Sequence, residues 1–177
     1  MDSPSERVLD LARKRPATLG PARLICIDGP SGSGKTTLAL SLVGPGVRVV
    51  HMDHLYDGWG GLPTVDSQLA SLLVPLASRS AGTYRRYDWD AGAYAETVVV
   101  PPTPLLVVEG VGSYSPAFDE LVTVLVWVEA PASERLGRAL ARDGAAYEPE
   151  LRQWAIDEQE HFAHSGARER ADLVVRA

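Results

Sequence analysis

Residues 29–36 read GPSGSGKT, between an apolar run at 23–28 (RLICID) and a helix-compatible segment at 35–43 (KTTLALSLV). The spacing G-x-x-x-x-G-K-[ST] in a strand–loop–helix context is the pattern of a phosphate-binding loop. Its glycines let backbone N–H groups turn towards an anion, and the following helix adds the positive end of its dipole. The alternative is a flexible glycine loop without a ligand. The residues expected to contact the phosphates of ATP are Gly29, Pro30, Ser31, Gly32, Ser33, Gly34, Lys35, Thr36 and Thr37.

Two residues of this loop have specific expected roles. Lys35 should reach the β- and γ-phosphates, and the Thr36 hydroxyl should hold Mg²⁺. The chain has only two lysines, Lys14 and Lys35, and otherwise uses arginine for positive charge. A lysine at this position therefore departs from the composition of the rest of the chain, which supports the motif.

Length, charge and cysteine content limit the class of protein. A chain of 177 residues is long enough for one domain with a full core and short for two. Its net charge of −6 disfavours nucleic acid as a partner. No apolar run nears the ~20 residues that span a membrane, and residues 1–7 lack the pattern of a signal peptide. Cys26 is the only cysteine, so we expect no internal disulfide and a cytoplasmic protein without membrane attachment.

Apolar runs alternate with helix-compatible segments along the chain. Residues 1–20 should form a leading helix, and 21–177 a single domain. This alternation predicts an α/β fold, a three-layer α/β/α sandwich with a mostly parallel sheet. Pro75 should kink or divide the helix that contains it. We expect strands at 23–28, 47–52, 105–108, 121–128 and 172–175, a β-arm of two strands at 83–90 and 94–100, and helices at 5–15, 35–43, 64–79, 133–142 and 149–164.

Acidic residues end two of the predicted strands. Asp53 follows the strand at 47–52, and Glu109 follows the strand at 105–108. In open α/β sheets, residues just past the carboxyl ends of strands line the ligand crevice. Asp53 is therefore a candidate catalytic base or indirect Mg²⁺ partner, and Glu109 a carboxylate that acts through a metal-bound water.

The predicted helix at 133–142 is rich in arginine. Arg135, Arg138 and Arg142 stand at i, i+3 and i+7 and so share one helix face. This face is either a lid over a transferring phosphate or a solvated surface paired with nearby acidic residues.

The order of these motifs resembles the uridine kinase and phosphoribulokinase family of P-loop kinases. The resemblance covers most of residues 22–176, and it implies a P-loop fold with an arginine lid that phosphorylates a hydroxyl of a small metabolite with ATP and Mg²⁺. After the phosphate-binding loop, the matching stretches are Asp53-His54-Leu55-Tyr56, Tyr87-Asp88-Trp89, Val107-Val108-Glu109-Gly110, Arg135-Leu136-x-Arg138-x-x-x-Arg142-Asp143 and Ala171-Asp172-Leu173-Val174.

The resemblance also implies roles for individual residues. Residues 54–100 would form the acceptor side, and 132–148 the lid. The implied catalytic residues are Asp53, Lys35, Arg138 and Arg142, with Arg135 on the phosphates and Thr36, Glu109 and Asp53 near the metal. The expected acceptor contacts are Tyr56, Trp59, Tyr87 and Trp89, for which ordinary packing is the equal alternative.

The sequence departs from uridine kinases on the acceptor side. Those enzymes have a base-contacting histidine a few residues after the Tyr-Asp-aromatic triplet, where this chain has residues 90–93 (DAGA). Their acidic motif for the ribose hydroxyls is replaced by residues 57–63 (DGWGGLP). The acceptor and the oligomeric state therefore remain open.

Two histidine pairs could suggest a metal. His51 and His54 are i and i+3 on a predicted strand, so they should point to opposite faces. His161 and His164 share a helix face with Glu158, which could hold Zn²⁺, although a solvated or capping role is favoured.

Three functions are consistent with the sequence. The first is an ATP-dependent kinase for a small-molecule hydroxyl, most like a nucleoside kinase. The second is a nucleoside monophosphate kinase, for which Arg85 and Arg86 could bind the acceptor phosphate. The third is a nucleotide-binding regulator with little turnover.

Overall fold

The apolar runs that the sequence predicts as strands form a parallel sheet of five strands, in the order Val47–His51, Leu105–Glu109, Arg23–Asp28, Val124–Glu129 and Leu173–Arg176. The structure is a computed structural model that describes residues 2–177. The strands are β1 (Arg23–Asp28), β2 (Val47–His51), β3 (Gly82–Asp88), β4 (Ala93–Val100), β5 (Leu105–Glu109), β6 (Val124–Glu129) and β7 (Leu173–Arg176). The helices are α1 (Pro4–Lys14), α2 (Lys35–Ser41), α3 (Asp66–Ala77), α4 (Ala132–Asp143), α5 (Glu148–Ser165) and α6 (Ala167–Arg170).

Both faces of this sheet are buried, which explains why its strands are apolar without alternation. Along β1, Leu24 and Cys26 belong to one core cluster, which includes residues of α3 and α5. Ile25 and Ile27 belong to a second cluster, with residues of α1 and α2. The sheet is therefore the middle layer of an α/β/α sandwich, as the sequence predicts.

Strands β3 and β4 pair only with each other, within the described part of the chain, as an antiparallel hairpin. The hairpin packs against α3, where the Gln68 side chain accepts a hydrogen bond from the Arg85 backbone N–H at 3.0 Å. Helix α3 continues to Ala77 without division at Pro75. A proline in the last turn disturbs few of the helix's hydrogen bonds, so the expected division does not occur.

The carboxyl ends of β1, β2 and β5 meet at one edge of the sheet. In the parallel register, Glu109 of β5 is level with Ile27 of β1 and with His51 of β2. The segments that follow these strands therefore converge on a single crevice. No helix within residues 2–177 combines the length and apolar character that a bilayer crossing requires.

Candidate active site

The phosphate-binding loop joins β1 to α2, and its glycines allow a backbone shape that other residues rarely adopt. Gly34, the N-cap of α2, has φ +98°, a conformation that side chains with a Cβ rarely adopt. At Gly32, a Cβ would lie 2.4 Å from the carbonyl oxygen of Arg135 in α4. Both positions therefore require glycine, and the second also shows that the lid helix rests directly on the loop.

Lys35 is buried beneath the loop. Its Nζ donates hydrogen bonds to the carbonyl oxygens of Gly29 at 2.7 Å and Pro30 at 2.8 Å. Burial lowers its pKa, an effect that the carboxylates of Asp28 and Glu109, among others, oppose. The ammonium group thus lies among acidic residues at the base of the crevice.

Asp28 ties the loop to the segment after β5, a role that no sequence motif indicated. Its Oδ1 accepts hydrogen bonds from the N–H groups of Gly29 at 2.8 Å and Gly112 at 3.0 Å, and its Oδ2 accepts one from Tyr114 N–H at 3.0 Å. Burial raises its pKa to about 6, although these donors and Lys35 favour the anion. Asp28 therefore fixes the relative position of two site-forming loops.

Glu109 connects three elements at the base of the crevice. Its Oε1 accepts a hydrogen bond from the Thr36 hydroxyl at 3.0 Å and lies 2.5 Å from His51 Nδ1. The hydrogen bond with Glu109 raises the pKa of His51. The structure thus brings together Thr36 and Glu109, two of the three residues expected near the metal.

Asp53 lies in a 3₁₀ turn, Met52–His54, that begins directly after β2. Asp53 is exposed to the open space of the cavity, and the protein groups that surround it raise its pKa most, with a further contribution from Glu109, whereas Arg142 and Lys35 lower it. Its backbone carbonyl accepts a hydrogen bond of 2.8 Å from the Trp89 indole N–H. Asp53 thus combines a carboxylate of raised pKa with a place in the cavity lining.

The 3₁₀ turn also corrects one expectation. His51 and His54 do not point to opposite faces, because the extended backbone ends at His51. Their ring centroids lie 5.7 Å apart in an edge-to-face arrangement.

The three arginines of α4 have different partners. Arg135 binds Glu158, whereas Arg138 pairs with Glu134 and also donates to the Gly32 carbonyl at 3.4 Å. Arg142 forms a two-pronged contact with its neighbour Asp143 and is close enough to Asp53 to affect its pKa. Arg138 and Arg142 line the cavity.

A cavity of about 1100 Å³ extends from the phosphate-binding loop to a wall of aromatic side chains. Trp59 is central to this wall, with ring centroids 5.3 Å from Trp89, 5.9 Å from Tyr147 and 6.2 Å from Trp154. Tyr147 lies in the turn between α4 and α5, and Trp154 lies in α5; their place in the wall was not predicted.

The other two predicted acceptor contacts are less open to a ligand. Tyr56 lines the cavity, but it is 1% exposed and its hydroxyl donates to the Val111 carbonyl at 2.6 Å. Tyr87 is buried between Trp89 and Tyr94 and is not part of the cavity wall, so it supports Trp89 from behind.

Glu158 is a buried carboxylate that contacts the phosphate-binding loop. Its Oε2 accepts a hydrogen bond from Ser31 N–H at 2.9 Å, and its Oε1 accepts one from Arg135 at 3.2 Å. Both of its carboxylate oxygens are therefore bonded to groups other than His161 and His164. Within residues 2–177, no group of three or more His, Cys, Asp or Glu side chains is arranged to hold a metal ion, and this includes the set with His161 and His164.

Two solved structures share this fold along almost the whole chain. A protein from Bacillus stearothermophilus, named provisionally as a uridine kinase, has a TM-score of 0.64 and 21% identity over 96% of this chain and 97% of its own. A protein from Silicibacter sp. TM1040, named provisionally as a fructose transport system kinase, has a TM-score of 0.63 and 19% identity over 98% of this chain and 99% of its own. No family model matches the chain, and no curated protein matches its sequence. The chain therefore shares the α/β fold of these two structures.

Proposed function

We propose that this chain is an ATP- and Mg²⁺-dependent kinase that transfers the γ-phosphate to a hydroxyl of a small molecule, most like a nucleoside. One observation carries the proposal: a single cavity is lined by the phosphate-binding loop, Asp53, Glu109, the lid arginines Arg138 and Arg142, and an aromatic wall. Phosphoryl transfer needs phosphate positioning, charge neutralisation and a group that deprotonates the nucleophile, and each has a candidate here.

The residues present fit Mg²⁺. Thr36 and Glu109 supply hard oxygen donors that already share a hydrogen bond, with Asp53 lining the same cavity. Mg²⁺ keeps several waters and uses one or two carboxylates with substrate phosphates, so it needs no cage of three protein ligands. When bound with ATP, it would neutralise charge on the β- and γ-phosphate oxygens.

In the proposed reaction, Asp53 takes the proton from the acceptor hydroxyl. The acceptor oxygen then bonds to the γ-phosphorus while the bond to the bridging oxygen of ADP breaks, so ADP and the phosphorylated acceptor are released. Lys35 exchanges its contacts with the Gly29 and Pro30 carbonyls for the phosphates. Arg138 and Arg142 stabilise the charge that spreads over the transferring group.

The aromatic wall supports an acceptor with a flat or apolar face. Trp59 and Trp89 are the predicted acceptor contacts at this wall, and indole rings stack well on bases and on the apolar faces of sugars. The similar structures carry the names of a uridine kinase and a fructose transport system kinase, which supports a hydroxyl acceptor of either kind.

Arg85 and Arg86, which the monophosphate kinase hypothesis assigns to the acceptor phosphate, give it no support. Arg86 is paired with Glu96 and Asp88 within the hairpin, and the Arg85 guanidinium lies 4.3 Å from the centre of the Tyr94 ring. Neither arginine lines the cavity.

The test is a coupled assay of ADP formation with Mg²⁺-ATP and a panel of nucleosides, nucleoside monophosphates and sugars. We expect acceptor-dependent turnover with a hydroxyl compound, abolished by Lys35→Ala. Lys14→Ala is the matched control, because Lys14 is an exposed lysine paired with Asp10 on α1. Tight ATP binding without turnover for any compound of the panel would instead identify a nucleotide-binding regulator.

A further inference from the structure

Glu158 is the only carboxylate, among residues 2–177, that accepts a hydrogen bond from a backbone N–H of the loop at 29–36 and also binds an arginine of α4. Its side chain is 3% exposed, and Arg135 is also mostly buried. Ser31 and Glu158 are 127 residues apart in the chain. The contact therefore links the donor loop, the lid helix α4 and helix α5 at one point.

A buried carboxylate is costly unless it is paired and hydrogen-bonded. Burial raises the pKa of Glu158, whereas the Ser31 N–H, Lys35 and Arg135 favour its charged form. Each of these partners belongs to the phosphate-binding loop or the lid. Glu158 is therefore stabilised by groups whose positions decide how phosphate is bound.

We propose that Glu158 is a positioning residue of the nucleotide site. It fixes the first turn of the phosphate-binding loop through Ser31 and docks α4 onto that loop through Arg135. The inference rests on the proposed function, because it assumes that the loop binds nucleotide phosphates. It adds a residue from α5 that no phosphate-binding motif contains.

A competing view is that Glu158 is merely a negative charge close to the site. The two views predict opposite changes in nucleotide affinity when Glu158 is replaced. Removal of a nearby negative charge would tighten the binding of an anion, because Coulomb repulsion falls. Removal of a positioning group would weaken it, because the loop must then be ordered when nucleotide binds.

The experiment compares Glu158→Gln with wild type in calorimetric titrations with Mg²⁺-ADP. We expect affinity to fall about tenfold or more, the scale of a hydrogen bond to a charged group. Arg135→Gln should weaken Mg²⁺-ADP binding similarly. The double variant should bind Mg²⁺-ADP about as well as the single variant with the lower affinity, because each substitution removes the same Arg135–Glu158 contact. Glu160→Gln, the same change at an exposed position on the same helix, should bind as wild type.

Hydrogen exchange of the nucleotide-free protein gives a second measurement. The peptide that covers 29–36 should exchange faster in Glu158→Gln and at the wild-type rate in Glu160→Gln. If Glu158→Gln does not fold, Arg135→Gln must still weaken Mg²⁺-ADP binding and speed this exchange.

Tighter or unchanged nucleotide binding in Glu158→Gln would overturn the assignment, as would additive effects in the double variant. A wild type that binds Mg²⁺-ADP but phosphorylates no acceptor would refute the kinase proposal and leave the role of Glu158 intact. A wild type that binds neither ADP nor ATP would refute both.

Discussion

The Thr36 hydroxyl donates a hydrogen bond of 3.0 Å to Glu109, and this bond joins the start of α2 to the end of β5. The same carboxylate oxygen lies against His51, so one residue of the central sheet organises the loop and the end of β2. Glu109 is 4% exposed, and it keeps its place by these polar contacts. The arrangement places the proposed metal-side oxygen atoms next to one another before nucleotide binds.

Glu109→Gln should therefore raise the Mg²⁺ concentration needed for half-maximal turnover by about tenfold. The amide cannot supply the negative charge that favours Mg²⁺, although it can still accept the Thr36 hydrogen bond. The measurement is ADP formation titrated with Mg²⁺ at saturating ATP, and chelation with EDTA should abolish it. Glu120→Gln, at an exposed position, should leave the Mg²⁺ requirement unchanged, and an unchanged requirement in Glu109→Gln would contradict the role of Glu109.

Asp53→Asn should lower kcat by at least ~10², with ATP binding retained, because the amide cannot accept the proton. The base must be ionised to act, and the pKa of Asp53 is raised above the ordinary value of 3.8. Wild-type turnover should accordingly decrease as the pH is lowered, with a midpoint above the ordinary aspartate pKa of 3.8. The variant should show no such decrease. Rates measured from pH 4 to 8 check this, with Asp10→Asn, an exposed position on α1, as the control. Near-wild-type turnover in Asp53→Asn would refute the base assignment.

Trp89→Leu should raise the KM for the acceptor by about tenfold and change the KM for ATP less than twofold. Trp89 is 38% exposed, packs edge-to-face against Trp59 and bonds to the Asp53 carbonyl, so its loss weakens the acceptor wall without opening the core. Steady-state kinetics with each substrate varied in turn make the comparison. Equal changes in both constants would mean that Trp89 acts on the whole site.

His161 should make the stability of the chain depend on pH. Its Nε2 is buried and has no hydrogen-bond partner among the described residues, and burial lowers its pKa below the ordinary 6.5. The folded state therefore resists protonation, so its contribution to stability is present above about pH 6.5 and is lost as pH falls. The free energy of unfolding of wild type should decrease from pH 7 to pH 5 more than that of His161→Phe.

Urea denaturation at several pH values measures this difference. Parallel pH curves for wild type and His161→Phe would show that His161 titrates as an ordinary histidine.

Local sequence signals predicted the sheet well, and they also predicted that the loop at 29–34 joins β1 to α2. The strand at 23–28 has the predicted bounds because its residues are apolar on both faces, and the glycine spacing of the loop is needed sterically at Gly32 and Gly34. The orientation of His51 and His54 was predicted wrongly, because a one-residue change from strand to 3₁₀ turn reverses which side chains are neighbours.

Contacts between distant parts of the chain left no such signal. Asp28 bonds to Gly112 across 84 residues, and Glu158 to Ser31 across 127. Each looks in the sequence like an unremarkable acidic residue of a strand or helix. Trp154 was likewise indistinguishable from a core residue until the fold placed it beside Trp59.

The β3–β4 hairpin attaches to the rest of the described chain through side chains and packing, such as Gln68 on the Arg85 backbone and Trp89 on Asp53, and through no shared strand pairing. Because the hairpin shares no backbone pairing with the five-stranded sheet, a change in its length or its side chains need not shift the register of β1, β2 and β5. The turn of the hairpin brings Trp89 to the cavity wall beside Trp59, which comes from the segment after β2, whereas the phosphate-binding loop follows β1 of the central sheet. On the proposed function, variation in the hairpin would alter one part of the acceptor wall while the phosphate-binding loop stays in place.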